Sequence, residues 1–390
     1  MPPNIRVCAF THFFHPHFTG AGLYALTLAK EFSKRGVEFI FVTVDNSGLP
    51  REDEFEGFKV YRISDGPKKH GEFVLWWNLW RVLWSLKDRF DIIHAFGSTY
   101  RNSAVGLIGK TLNKKVLTTV SMAHNDLHPM TMGGVSGRLQ TFFLRFVDRY
   151  ISLSRDITEE IRGLPLDFHK AREIPQGVDT RRFTPATGEE KLALRDRLRL
   201  PNGPLALYVG VMDGRKNVKW LVETWAKNRI LFSGWRLLLV GPASRDEPEA
   251  GLREALRVYA RVQGLSEIIL FRDFTPKIED YFRAADLFIL PSVNEGMPNA
   301  LVEAMGCGIP SLVTRISGTA DLVTDGVSGK LFEVSDEDGF IAGMKILISD
   351  DSVRARLGNA ARSLVEKRLS TEHVSARYFT LYNELLERNH

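Results

Sequence analysis

Cysteine is almost missing from this chain: Cys8 and Cys307 are the only two in 390 residues. That excludes a disulfide framework, and no Cys-x-x-Cys or Cys/His ligand spacing occurs. Eight of the ten histidines precede residue 170, but none is paired at ligand spacing on a recognisable helix, so no metal site is expected. No apolar run reaches the roughly 18 residues of a membrane-spanning helix. The first residues lack the positive-then-apolar pattern of a signal peptide and run straight into an apolar segment. A cytoplasmic location is the expectation. Low-complexity tracts and internal repeats are also missing. An excess of one charge is slight, 52 Lys and Arg against 47 Asp and Glu. It fits an anionic ligand or an anionic surface without demanding either, and no nucleic-acid partner is read from it.

What is present is ordinary globular material, 44% hydrophobic and 25% charged. Its length favours two domains. Residues 5–10 read as a strand, followed by a loop holding Gly20 and Gly22. A helix carrying Leu23, Leu26, Ala29 and Phe32 comes next, and residues 37–44 form a second strand. That is a βαβ unit of a doubly wound parallel sheet, and the glycines would let backbone approach a ligand at the strand's carboxyl end. Further strands are read at 91–97 and 116–120, the latter leading to His124. In the second half, strands at 205–211, 236–240, 268–271, Leu287–Leu290 and 309–314 continue the pattern.

Two helical stretches stand apart. Residues 73–88 carry Phe73, Trp76, Trp77, Trp80, Leu83 and Trp84 on one stripe and Leu75, Leu79, Val82 and Leu86 on another. Packing on one sheet face needs less apolar surface than this. The helix is either buried under a neighbour as well, or meets a membrane interface or a partner, where Trp is favoured. Residues 136–150 read as a basic amphipathic helix, with Leu139, Phe142, Phe143, Phe146 and Tyr150 opposed by Arg138, Arg145 and Arg149. Its charges face solvent or a membrane surface.

The most informative stretch is 286–310. A short apolar strand closes at Pro291; Pro298 suits the first position of a helix, and Gly306 or Gly308 ends it. Glu295 lies just outside that helix and Glu303 within it. Free N–H groups at a helix start suit a phosphate, and flanking carboxylates suit hydroxyls, the two halves of a nucleotide-sugar. The segment resembles the donor-binding motif of retaining glycosyltransferases of family 4: Glu-Gly, six residues, Glu-Ala-Met-Ala, one residue, Gly, one residue, Pro. Gly306 alone departs from it, standing where alanine is usual.

The resemblance implies the GT-B fold, two doubly wound Rossmann-like α/β domains facing a cleft. Residues 1–180 would form the acceptor-side domain, joined by a crossover helix at 371–390, and residues 181–370 the donor-binding domain. The signature at 174–185 marks the boundary, and Tyr150 to Leu153 with Ser154 resemble the last strand of the first domain. By the same resemblance Glu295 binds the transferred sugar, Glu303 the ribose, and His124 the sugar near the reacting centre. Arg215 and Lys216 neutralise the diphosphate, with Gly20, Gly22, Gly210, Gly296, Met297, Pro298 and Asn299 lining the donor. Lys216 matches the family lysine, whereas the usual arginine falls on Val211, leaving Arg215 as its substitute. The implied reaction is metal-independent transfer of a hexosyl unit from a nucleoside-diphosphate sugar, a UDP-sugar first of all. The acceptor is a glycan or lipid-linked hydroxyl in polysaccharide or glycoconjugate synthesis. Trp76, Trp77, Trp80 and the three arginines of 136–150 would serve a peripheral position on the inner membrane face. The alternatives are a non-catalytic donor-binding scaffold, favoured by Val211, and a GT-B sugar-nucleotide epimerase.

Overall fold

A computed structural model describes residues 5–16, 19–45, 48–66, 71–97, 102–122, 126–132, 134–244 and 249–387. The chain divides into two compact units, Met1–Gly177 with Thr371–His390, and Val178–Ser370.

In the first unit the described strands are β1 (Arg6–Thr11), β2 (Glu38–Val44), β3 (Glu52–Phe55), β4 (Phe58–Ile63), β5 (Ile92–Phe96), β6 (Lys115–Val120), β7 (Arg149–Ser152) and β8 (Ala171–Glu173). They are ordered β3-β4-β2-β1-β5-β6-β7-β8, all parallel except the β3–β4 edge pair. The central strands are apolar on both faces, as a sheet covered by helices on each side requires. Cys8 sits between Ile40 and Ile93 and is buried.

Three local expectations need correction here, and one hairpin is additional to them. The β3–β4 hairpin carries little apolar patterning, because β3 is largely acidic; its turn residues Glu56 and Gly57 both hold positive φ, 53° and 84°, the geometry of a tight hairpin. The helix placed at 136–150 runs only from Gly134 to Leu144. Arg149 and Tyr150 open β7 instead, both buried, so Arg149 faces no membrane. Their helical spacing is coincidental: the Tyr150 hydroxyl donates to Leu144 O at 2.8 Å, closing the helix end from the strand. β7 is also not the unit's last strand, since β8 pairs beside it. Finally, Leu23 is exposed while Leu26, Ala29 and Phe32 are buried.

The helix Thr371–Glu387 completes this unit, burying Val374, Tyr378, Leu381, Tyr382 and Leu385 in the same core as Phe32 and Ile92. His94 on β5 joins it to the sheet, with Nδ1 2.7 Å from the Tyr382 hydroxyl and Nε2 2.9 Å from Thr119 Oγ1. Burial drives the His94 pKa down to about 3. It is neutral, a tie within the core.

The second unit contains β9 (Leu205–Val209), β10 (Arg236–Val240), β11 (Ile269–Arg272), β12 (Leu287–Leu290), β13 (Ser311–Thr314) and β14 (Lys330–Phe332). All are parallel, in the order β11-β10-β9-β12-β13-β14. The chain proceeds outward from β9 through β10 and β11, then returns to β12 on the other side. Connections therefore leave β9 and β12 in opposite directions, which opens a crevice at their carboxyl ends.

Candidate active site

Two loops meet at that crevice. The first, after β9, begins at Gly210, whose N–H donates to Val240 O at 3.1 Å. A Cβ at Gly241 would lie 2.0 Å from Gly210 O, so the β10 end must be glycine for the two backbones to pass. The Tyr208 hydroxyl donates to Val211 O at 2.8 Å, Lys216 N to Asp213 Oδ1 at 2.8 Å, and Gly214 N to Glu249 Oε1 at 3.0 Å. These bonds fix the turn that aims Arg215 and Lys216.

The second loop follows β12 and carries Glu295. Val293 N donates to Arg215 O at 2.9 Å, tying loop to loop. The Arg215 guanidinium donates through Nη1 to Asn294 O at 3.1 Å and to Glu295 Oε2 at 3.0 Å. Lys216 Nζ donates to the other carboxylate oxygen, Oε1. The Glu295 side chain is only 7% exposed and that of Lys216 12%. Burial by itself would raise the Glu295 pKa; Lys216 and then Arg215 more than offset this and hold it below the usual glutamate range. Two cations converge on one carboxylate, which leaves a net positive charge beside it.

Glu295 is held from behind as well. A Cβ at Gly318 would lie 2.3 Å from Gly296 O and 2.9 Å from Glu295 O. Glycine there lets the helix Ser317–Ala320 press against the loop. The helix after the loop spans Asn299–Gly306, one residue later than expected: Pro298 is its N-cap, extended at ψ 111°, and supplies no side-chain acceptor to the first turn. Met297 is buried beside it. At the far end Cys307 caps the helix and Gly308, at φ +67°, turns the chain away.

Glu303 is in a different state. Partly buried on this helix, its carboxylate makes no hydrogen bond to any described residue. Burial pushes its pKa up to about 7, against a lowering by Arg182 and with a further rise from Glu279. Arg182 is itself engaged by Glu279, at 2.7 Å and 3.0 Å.

The structure thus gathers Arg215, Lys216, Glu295, Gly296, Met297, Pro298 and Asn299 at the β9–β12 crevice. Val211 is 36% exposed and has no part in the ion pairs. Gly20 and Gly22 belong to the first unit and open the helix Gly20–Ser33. Gly22 serves its own chain: a Cβ there would come within 2.5 Å of Phe13 O. Thr19, where the family commonly has glycine, caps this helix by accepting from Gly22 N at 3.3 Å. His124 lies outside the described residues. Tyr208, Asp213, Glu249 and Gly318 were not singled out as site residues from the sequence; only Gly318, in its Ser-Gly-Thr turn, carried a visible signal.

The chain is similar to known proteins. Two family models match, Glycosyltransferase Family 4 over residues 18–182 and Glycosyl transferases group 1 over residues 203–350. The D-inositol 3-phosphate glycosyltransferase of Xylanimonas cellulosilytica is 25% identical over 413 residues, covering 95% of this chain and 92% of its own. The UDP-Gal:alpha-D-GlcNAc-diphosphoundecaprenol alpha-1,3-galactosyltransferase of Escherichia coli is 28% identical over 68% of each chain. Anabaena HepE, solved in complex with UDP and glucose, aligns with a TM-score of 0.80 at 18% identity, over 97% of this chain and 100% of that one. With two parallel α/β sheets, the matched motifs and both halves covered by the family models, the chain belongs to glycosyltransferase family 4 and is a glycosyltransferase of GT-B fold.

Proposed function

We propose that this enzyme moves a hexosyl unit from a nucleoside-diphosphate sugar to an acceptor hydroxyl with retention of configuration. The observation that carries this reading is the convergence of Arg215 and Lys216 on Glu295 at the β9–β12 crevice. As the bond between the sugar's anomeric carbon and the diphosphate oxygen breaks, negative charge grows on the diphosphate and positive charge on the sugar ring. Fixed cations stabilise the first, and they need no reorganisation as the charge appears. N–H groups at the start of the helix Asn299–Gly306 add to them. Glu295 takes a sugar hydroxyl and the unpartnered Glu303 the ribose hydroxyls. By the family resemblance, His124 is assigned to the transferred sugar.

Arg215 and Lys216 do the neutralising that a divalent metal would otherwise do, so activity is expected without one. UDP is the first nucleotide to try, given the structure of like fold solved with UDP and the galactosyltransferase that names UDP-Gal. The latter's diphosphoundecaprenol substrate supports a lipid-linked acceptor here, with the enzyme at a membrane surface. Val211 favours a second reading, a scaffold that binds donor without turning it over.

A thermal-shift panel of UDP-, GDP- and ADP-sugars, without metal, tests the donor site, because a ligand bound to the native state raises the melting temperature. One nucleotide should raise it in wild type and not in Glu303→Ala. No shift with any of them ends the proposal. Donor turnover removes the scaffold reading, and a sugar released with unchanged C2 configuration removes an epimerase.

A further inference from the structure

The tryptophan helix, Gly71–Ser85, lies on the first unit's sheet through Leu75, Leu79 and Leu83, all fully buried. Its other side is uncovered within that unit: Phe73 is 64% exposed, Trp77 62% and Trp84 46%. These rings are ordered among themselves. Trp77 stacks on Trp80 at 5.3 Å, Trp80 lies 5.3 Å from Trp84, and Lys87 Nζ sits 4.4 Å over the Trp84 ring.

The ladder leads into a cationic pocket. Trp80 Nε1 donates to Thr111 Oγ1 at 3.3 Å, beside Lys110. On the neighbouring helix, Trp76 meets Phe143 edge-on at 4.9 Å, and exposed Phe142 packs on Phe146. Phe146 lines a cavity of about 210 Å³ whose charged walls are Lys110, Lys114, Lys115, Arg145, Lys170 and a single carboxylate, Asp148. Asp148 is engaged by Val116 N at 2.9 Å, and the nearby Asp91 by Arg6. Lys170 has a structural duty, donating to Arg145 O and Val147 O at the end of the helix Gly134–Leu144. Lys110, Lys114, Lys115 and Arg145 make no ion pair with any described residue. Five cations around one carboxylate, with Asp91 and Asp88 acting on Lys114 from nearby, leave an excess of positive charge at this face, which suits an anionic partner.

We propose that this face, the ladder Phe73–Trp77–Trp84 with the pocket of Lys110, Lys114, Lys115 and Arg145, docks on a bilayer containing anionic phospholipid. Ordered Trp rings beside Lys and Arg suit the headgroup region, where an indole has apolar and polar neighbours at once. The pocket takes a lipid phosphate. It lies at the amino end of β6, whereas the glycine helix start follows the carboxyl end of the parallel strand β1. Docking therefore leaves the carboxyl end of the sheet uncovered. The inference deepens the lipid-linked reading but uses none of the donor-site residues.

Co-sedimentation with phosphatidylcholine–phosphatidylglycerol vesicles, against phosphatidylcholine alone, is the test. Wild type should bind the mixed vesicles and be released by salt. Lys114→Gln/Arg145→Gln should weaken binding about 25-fold, at roughly fivefold for each cation removed near an anionic surface. Trp77→Ser/Trp84→Ser should weaken it too. Both variants should keep the wild-type melting temperature and donor-induced shift, so a failed donor shift speaks against the proposed function and not against docking. Wild type that ignores anionic vesicles, binds both vesicle types equally, or binds an oligonucleotide but no vesicle overturns the inference. So do folded variants that sediment as wild type does.

Discussion

Glu303→Gln should make the enzyme more stable and a poorer binder of donor. The carboxyl's pKa rises from 4.5 to about 7 because burial disfavours its charge and no described group hydrogen-bonds it. A raised folded-state value means that its favourable contribution is complete below pH 4.5 and is lost as pH climbs to about 7. At about 1.4 kcal/mol per pH unit, that interval corresponds to about 3 kcal/mol by pH 8. Water reaches the partly buried side chain, so this is a ceiling. Glutamine has the same shape and never ionises. The variant should match wild type near pH 4.5 and exceed it progressively towards pH 8, by roughly 2–4 °C per kcal/mol for a unit of this size. Thermal melts across that range, with and without donor, read both effects. A stabilisation of equal size at every pH, or a variant less stable than wild type at pH 8, would refute the reasoning, because the tension attributed to Glu303 would not exist.

Three further outcomes follow from the same geometry. In the proposed donor complex the ribose hydroxyls donate to the ionised Glu303, so donor affinity in wild type should rise between about pH 5 and pH 7, by up to tenfold per unit, and stay flat in Glu303→Gln; calorimetric titration at several pH values decides it. Glu295→Gln leaves the largely buried Lys216 without its counter-charge and should cost about 3–5 kcal/mol in chemical denaturation; in wild type, the stabilisation from the depressed Glu295 pKa is present above pH 4.5 and fades only below it. Gly318→Ala drives a methyl into the Glu295–Gly296 backbone, so denaturation should show a loss of about 1–3 kcal/mol, and donor turnover about a hundredfold loss from a displaced reacting group.

The sequence and the structure agree best where one short segment decides the outcome. An apolar run closed by proline made Leu287–Leu290 legible to the residue, and the spacing of Glu295, Pro298 and Glu303 put one glutamate before the helix and the other inside it. The pairing of Arg215 and Lys216 with Glu295 was not legible, since 80 residues separate the loops and only the strand order joins them. That pairing also bears on Val211: Arg215 brings a guanidinium to Glu295 from the same turn. Residues 145–150 misled because a turn followed by a strand placed aromatic and arginine side chains at helical intervals by chance. The first glycine loop was read as open to a ligand, yet Gly22 is required by a carbonyl of its own chain, a contact that spacing cannot reveal. The state of Glu303 depends on what buries it, which again is tertiary.

The central claim is that Lys216 and Arg215 receive the charge that leaves the sugar. Its most direct measurement is nucleoside-diphosphate release from the donor by wild type and Lys216→Ala, with the product's anomeric configuration read by proton NMR. Loss of one such group from the transition state should lower kcat about 10²–10³-fold, and the product should keep the donor's configuration. A Lys216→Ala enzyme that turns over as wild type does, or a product of inverted configuration, would contradict the account.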